Sequence, residues 1–405
     1  MLYRSIFQFL FNLLKFLSFF SLKINKLLRT RLNINSKISK SFSKNDNVIW
    51  FHCSSLGEFE QARPLIELYS KNYSNYKILL TFFSSSGYEI QKNYKHADCV
   101  SYLPFDNQKT IISFLNNFNP KVLFLIKYEF WPELINQLYI KKIKIFSISS
   151  IFRKDQIFFK FYGKFLVKYL KKIDHFFVQD DNSKNLLNSI GISSSTVIGD
   201  TRLDRVLKIK NEIFELKAIS KFKASSPCLV LGSTWKEDYF LLNKLKLFPK
   251  LKTIIVPHKI DTNSLKELTR KLKMPYSMLS SYKKDNSKSQ ILVIDSIGLL
   301  SKIYKYADIA YVGGGMGKKG LHNTMEPAVF NIPIIVGKNY NKYNEVIDLV
   351  KLGGIISVKN ENEFYKIISL LLKDSIKRNK LGKINSEYIN SKAGSSKTII
   401  NLIKL

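Results

Sequence analysis

The sequence is poor in the residues that build disulfide frameworks and metal centres. Its 405 residues include three cysteines, Cys53, Cys99 and Cys228, widely separated and odd in number. With no C-x-x-C pair, no disulfide scaffold or zinc site is expected, and a reducing compartment is. Histidine is scarce too, at five residues, and no metal site is expected. No G-x-x-x-x-G-K-[ST] loop occurs, and no dinucleotide fingerprint follows the first strand-like run. No recognition helix, zinc finger or RNA-binding signature is present. No stretch of about 20 apolar residues runs free of charge, as a spanning helix requires. No small-residue cleavage site follows the apolar N-terminus, so a cleaved signal peptide is not expected. Acidic residues are outnumbered, 31 against 65 Lys and Arg, for a net charge of +34.

What is present is a folding composition, 45% hydrophobic and 13% aromatic. The length suits two domains of about 150–200 residues. The positive balance favours an anionic partner such as a membrane surface or a phosphorylated substrate. Lysine also crowds ordinary surface stretches such as Lys208–Lys223, so part of the excess is compositional.

Residues Leu2–Leu28 are rich in Leu, Phe and Ile. Wound at about 100° per residue, Arg4, Ser5, Gln8, Asn12, Lys15, Ser18, Lys23 and Lys26 fall in one arc. Phe7, Phe9, Leu10, Leu13, Leu14, Phe16, Leu17 and Phe20 form a broad apolar face. The pattern predicts a helix lying in a membrane interface, with Lys23, Lys26, Arg29 and Arg31 against anionic headgroups. A helix packed on the protein's own core is the alternative.

Beyond a Ser/Lys/Asn-rich linker, Asn33–Asn47, short apolar runs alternate with helical stretches. Strands are expected at Asn47–Cys53, Lys77–Phe83, Cys99–Leu103, Lys121–Lys127, Lys142–Ser149 and Phe176–Gln179. The alternation restarts at Pro227–Leu231, Lys252–Val256, Ile291–Ile294, Ile309–Val312, Ile332–Val336 and Ile355–Val358. Continuous rather than alternating apolar runs imply strands covered on both faces, as in parallel sheets flanked by helices. Two Rossmann-like domains are therefore expected, at residues 33–206 and 207–385. Residues 1–32 form the membrane-associating segment. Residues 386–405 form a C-terminal helix that can pack back on the first domain.

Ligands of open parallel sheets bind at the carboxyl ends of strands, and five motifs fall there. Cys53-Ser54-Ser55-Leu56-Gly57-Glu58 places a carboxylate at a helix start, where it can serve as a general base or as an ordinary cap. Thr81–Gly87 is a hydroxyl-rich turn suited to an anion or to an N-cap. Lys127-Tyr128-Glu129-Phe130-Trp131-Pro132 is a charged and aromatic cluster before a helix, suited to acceptor contacts or to a buried turn. Leu231-Gly232-Ser233-Thr234-Trp235 resembles a phosphate-binding turn, and Val256-Pro257-His258 ends the next strand; both also suit a plain strand-to-helix connection. The most specific is Gly313-Gly314-Gly315-Met316-Gly317-Lys318-Lys319-Gly320, then Leu321-His322-Asn323-Thr324-Met325-Glu326-Pro327. Its glycines permit close backbone approach to a phosphate, and Glu326 can accept hydrogen bonds from ribose hydroxyls.

Taken together and in order, these segments resemble the bacterial 3-deoxy-D-manno-octulosonic acid (Kdo) transferases, glycosyltransferase family 30, over nearly the whole chain. The specific matches are Ser54–Glu58 with Arg63-Pro64, Glu129–Pro132, Gly199–Asp204, Gly232–Thr234 and Gly313–Pro327. The resemblance implies a GT-B fold, two Rossmann-like domains with a cleft between them. It also implies CMP-Kdo as donor, a lipid A precursor as acceptor, inversion without a metal, no cofactor, and an N-terminal membrane-associating segment. Glu58 matches the family's base. Ser54, Ser55, Gly57, Arg63 and Glu129 match acceptor-side positions. Gly232, Ser233, Thr234, Pro257, His258, Gly313, Gly314, Gly315, His322, Asn323 and Glu326 match the donor side.

Lys127 stands where many members carry an acid, and His258 where an Arg-His pair is common. Met316 and two lysines enter the glycine loop. A transferase using another nucleotide sugar in envelope glycolipid synthesis would share the fold. The Gly57-Glu58 and Phe130-Trp131-Pro132 segments argue against it. A nucleic-acid-binding role, suggested by charge alone, has no motif behind it.

Overall fold

The computed structural model describes residues 2–31, 33–282 and 289–405. The side chains of Leu2 and of Lys23, which was placed in the basic flank, lie outside the described residues. The chain forms two compact units: Met1–Arg205 with Gly394–Leu405, and Val206–Ala393.

In the first unit the strands are β1 (Asn47–Cys53), β2 (Lys77–Phe82), β3 (Cys99–Tyr102), β4 (Asn119–Ile126), β5 (Lys144–Ser150), β6 (His175–Val178) and β7 (Ser195–Val197). Among the described residues they make one parallel sheet in the order β3-β2-β1-β4-β5-β6-β7. The second unit carries β8 (Cys228–Thr234), β9 (Lys252–Pro257), β10 (Tyr276–Met278), β11 (Ile291–Val293), β12 (Ile309–Val312), β13 (Ile334–Gly337) and β14 (Ile355–Val358). These are parallel in the order β10-β11-β9-β8-β12-β13-β14. Both sheets are buried on two faces: Trp50 and Phe51 point to opposite sides of β1, and both are fully buried. In each sheet the chain leaves the first strand one way and later returns on its other side. Such a topological switch point opens a crevice at the strand carboxyl ends. It falls between β1 and β4 in one unit and between β8 and β12 in the other.

The N-terminus departs from a single two-faced helix. It breaks into α1 (Leu2–Leu17) and α2 (Leu22–Arg29), and the Ser21 hydroxyl caps α2 by accepting from the Ile24 N–H. One side of α1 docks on the first unit. Tyr3 donates to Asp106 at 2.6 Å, Arg4 pairs with Glu133 through two bonds, and Phe11 packs on Phe105 with ring centres 5.0 Å apart. Arg4, expected on the polar arc, stays 45% exposed while its guanidinium pairs with the buried Glu133 carboxylate. Arg31, expected in the basic flank, is buried. Phe9, Leu10, Leu13, Phe16, Leu17 and Phe20 remain exposed. Among the described residues no helix is long and apolar enough to cross a membrane.

The linker expected at Asn33–Asn47 instead contains a helix, α3 (Ile34–Ser41), with Ile34, Ile38 and Phe42 buried. Their spacing of four places them on one helix face. At the other end, a helix over Ser375–Lys392 stops before Gly394, whose φ of 109° no other residue adopts readily. A last helix, Ser395–Leu402, follows. It packs on the helix after β1, α4 (Leu56–Asn72), and Tyr69 donates to the Ile403 carbonyl at 2.9 Å. Asp204 accepts from the Gly394 and Ser396 N–H groups at 2.6 and 2.7 Å.

Candidate active site

In the first unit the turn after β1 and the turn after β4 flank the switch point. β1 ends at Cys53, Ser55 is the N-cap of α4, and Glu58 lies in the first helical turn. The Glu58 carboxylate folds back to accept from the Ser54 N–H. It is therefore a cap, as helix physics alone would demand. It is also 7% exposed, and burial raises its pKa; the Ser54 N–H and the Lys127 ammonium oppose that rise. A carboxylate raised in this way is a better proton acceptor at neutral pH than an ordinary glutamate. Gly57 sits in the same turn with only Ser55 Oγ near a built Cβ, at 3.9 Å. The turn does not require glycine; its lack of a side chain leaves the helix N-terminus open.

Across the switch point, Glu129 is pushed up to about 7, chiefly by burial and then by the Glu58 charge. Lys127, directly after β4, has φ 60°, a left-handed conformation costly for a side-chain-bearing residue, held by its N–H to the Ile148 carbonyl at 2.9 Å. Burial and the Arg202 charge lower its pKa. Trp131 stacks on Phe83, ring centres 4.8 Å apart, and Pro132 opens the next helix. Beneath lies His52, wholly buried, its Nδ1 3.0 Å from Thr81 Oγ1 and its Nε2 4.0 Å from Glu129 Oε2. His52 lies outside the five strand-end motifs, although a histidine within the apolar run Val48–Cys53 is itself a signal.

Ser54, Ser55, Gly57, Glu58 and Glu129 thus gather at one crevice. Arg63 does not. Five residues on, about 140° further round the helix, it lies over the Phe59 and Tyr94 rings and pairs with Glu60 at 2.6 Å.

In the second unit, β8 continues through Thr234, so the expected turn is the bulged end of a strand, with Ser233 at φ 52°. A 3-10 helix, Lys236–Leu242, follows. Asp238 organises the crevice, accepting from the Trp235 N–H (2.9 Å), the Gly314 N–H (3.1 Å) and the Tyr311 hydroxyl (2.7 Å). It was not singled out from sequence, because a lone acid in a helical turn looks like a cap. Gly313 has no room for a side chain, since a Cβ would meet Ser233 O at 2.4 Å; Gly314 adopts φ 91°. Gly315 touches Gly337 backbone. The helix after the loop is short and begins only at Met325.

Trp235 stacks on His258, which follows Pro257 at the end of β9, with centroids 4.1 Å apart. Trp235 also donates to His322 Nε2 at 2.7 Å, and Lys319 lies over its ring at 4.2 Å. Burial, then His258, lowers His322 to about 4, so its ring is neutral and can accept that bond. Asn323 donates to Glu326 at 3.2 Å. The donor-side candidates Gly232, Ser233, Thr234, Pro257, His258, Gly313, Gly314, Gly315, His322, Asn323 and Glu326 therefore lie along β8, β9 and the glycine loop.

Two parallel α/β units, each with polar side chains gathered at its switch point, define a protein of the GT-B class. In fold, the chain is similar to a UDP-GlcNAc 2-epimerase from Neisseria meningitidis, with a TM-score of 0.63, 16% identity, and 88% of this chain and 98% of that one covered. In sequence, residues 27–205 match the family described as 3-Deoxy-D-manno-octulosonic-acid transferase (kdotransferase). A 3-deoxy-D-manno-octulosonic acid transferase of Haemophilus influenzae is 27% identical over 372 residues, 88% of this chain and 86% of that protein. A bifunctional glycosyltransferase/methyltransferase of Fusobacterium nucleatum is 32% identical over 394 residues, 92% of this chain; the chain spans 59% of that relative's length. The chain belongs to the Kdo transferase family of glycosyltransferases.

Proposed function

We propose that this protein transfers Kdo from CMP-Kdo to a lipid A precursor (lipid IVA) in lipopolysaccharide core synthesis, with inversion at the anomeric carbon. The observation behind this assignment is Glu58, a buried carboxylate of raised pKa at the switch point of the first unit, in a chain of this family. Glu58 takes the proton of the acceptor hydroxyl as that oxygen attacks the anomeric carbon. The bond from that carbon to CMP breaks on the opposite face, so CMP departs with the bonding pair. Ser54, Ser55, Gly57 and Glu129 line the acceptor side. The glycine loop, Gly232–Thr234, His258, His322, Asn323 and Glu326 hold the nucleotide. The exposed apolar side of α1 lies on the anionic cytoplasmic face of the inner membrane, where the acceptor resides; Phe9, Phe16 and Phe20 support this.

Substitution Glu58→Gln tests the base. Transfer should fall by about 10²–10⁴-fold while CMP affinity stays near wild type. Turnover near wild type would reject the role.

A further inference from the structure

Arg31 is 8% exposed, yet among the described residues no carboxylate pairs with it. Its guanidinium donates to three backbone carbonyls, of Leu103, Leu27 and Phe83. It also lies about 5 Å from the centres of the Phe83, Tyr102 and Phe105 rings. Burial alone pulls its pKa down, to about 10, so it remains charged at neutral pH. A buried cation without a counter-ion is costly, and natural proteins usually supply the opposite charge.

Arg31 lines a groove of about 1140 Å³ between α1 and the segment 105–110. Phe7, Phe11, Leu28 and Phe105 supply apolar walls, and Lys15 and Lys109 stand on the lining as further cations. Asp106, the one carboxylate on the lining among the described residues, is turned to the Tyr3 hydroxyl and to the Glu133 and Leu134 N–H groups. At about 1140 Å³ and with four apolar side chains on its walls the groove has room for an acyl chain, and it carries positive charge for an anionic headgroup. It also adjoins the crevice of the first unit: Phe83, which touches Arg31, stacks on Trp131 two residues from Glu129, and Arg31 contributes to depressing His52.

We propose that this groove is a binding site for a phosphorylated, acylated lipid, the acceptor itself, with phosphate near Arg31 and Lys109 and an acyl chain along Phe7, Phe11 and Phe105. The assignment rests on the transferase reading above.

The test compares kcat/KM for a lipid A precursor with that for its dephosphorylated form, in detergent, for wild type, Arg31→Gln and Lys109→Glu. Lys109 is exposed, so its variant folds even if loss of Arg31 loosens α2. Wild type should prefer the phosphorylated acceptor, and both variants should lower that preference about tenfold or more. A wild type that transfers to neither acceptor refutes the transferase reading, not the groove alone. Transfer with the preference unaltered in both variants overturns the groove. Lost binding to phosphatidylglycerol vesicles with an unaltered preference assigns the groove to bulk membrane lipid and also overturns the proposal.

Discussion

His52 Nε2 lies 4.0 Å from Glu129 Oε2, the imidazole fully buried and the carboxylate 15% exposed. Burial drives His52 down to about 3, so the ring is neutral, with one nitrogen donating and one accepting. A ring N–H facing a carboxylate is attractive and a bare lone pair is not. The tautomer with a proton on Nε2 is the one that attracts Glu129; its Nδ1 lies 3.0 Å from Thr81 Oγ1, which lies 3.4 Å from the Phe51 carbonyl. Thr81 is in turn fixed by the Trp50 indole, which donates to it at 2.8 Å. A strand of the core thus aims one donor at the second carboxylate of the crevice.

The Glu129 carboxyl makes stability depend on pH. Its folded pKa of about 7 exceeds the ordinary 4.5, so the folded state binds more protons between those values. Stability falls as pH rises from 4.5 to about 7 and levels off above. Glu129→Gln removes that cost. It should raise stability at pH 8 by up to about 3 kcal/mol and leave it nearly unchanged at pH 4.5. His52→Leu, which deletes the donor, should push the upper end of the window above 7. Denaturant unfolding across pH measures both, and equal effects of Glu129→Gln at pH 5 and pH 8 would show that the carboxyl is not perturbed.

Replacing Phe9, Phe16 and Phe20 with serine tests the membrane face. They are 69%, 59% and 77% exposed, so the fold loses little. Each phenylalanine buried in lipid contributes about 1.5–3 kcal/mol. Partitioning onto phosphatidylglycerol vesicles should drop by at least tenfold per residue removed. Sedimentation with vesicles at the wild-type level would place the contact elsewhere.

Asp238→Ala should unseat the glycine loop. It strands two backbone N–H groups and the buried Tyr311 hydroxyl, a loss of about 3 kcal/mol or more. CMP affinity should fall more than tenfold by calorimetry. Tyr311→Phe, which removes one of the three bonds, should cost about 1 kcal/mol and change CMP binding little. Wild-type affinity in Asp238→Ala would remove the loop from the nucleotide site.

Most strands were legible because a strand inside a covered sheet is mostly apolar: Asn47–Cys53, Ile309–Val312 and Ile355–Val358 run as read. The strands β7 and β10 escaped notice. Each has three residues, two of them bearing hydroxyls, and lies at a sheet edge. α3 was hidden by Ser and Lys around Ile34 and Ile38, although their spacing was there to see. The motifs located the crevices because glycines and acids at strand ends have few other reasons to cluster. What the sequence withheld were long-range partners. Asp238 reaches Gly314, 76 residues away, and Arg4 reaches Glu133 across 129. Such pairings depend on topology, not local pattern. The inward turn of Arg31 belongs with them.

The most direct test is the mass of a tetra-acylated lipid A precursor after incubation with the purified protein and CMP-Kdo. The account predicts a product heavier by a whole number of Kdo residues, formed by wild type and lost in Glu58→Gln. An unshifted precursor, from folded protein that still binds CMP, would contradict it.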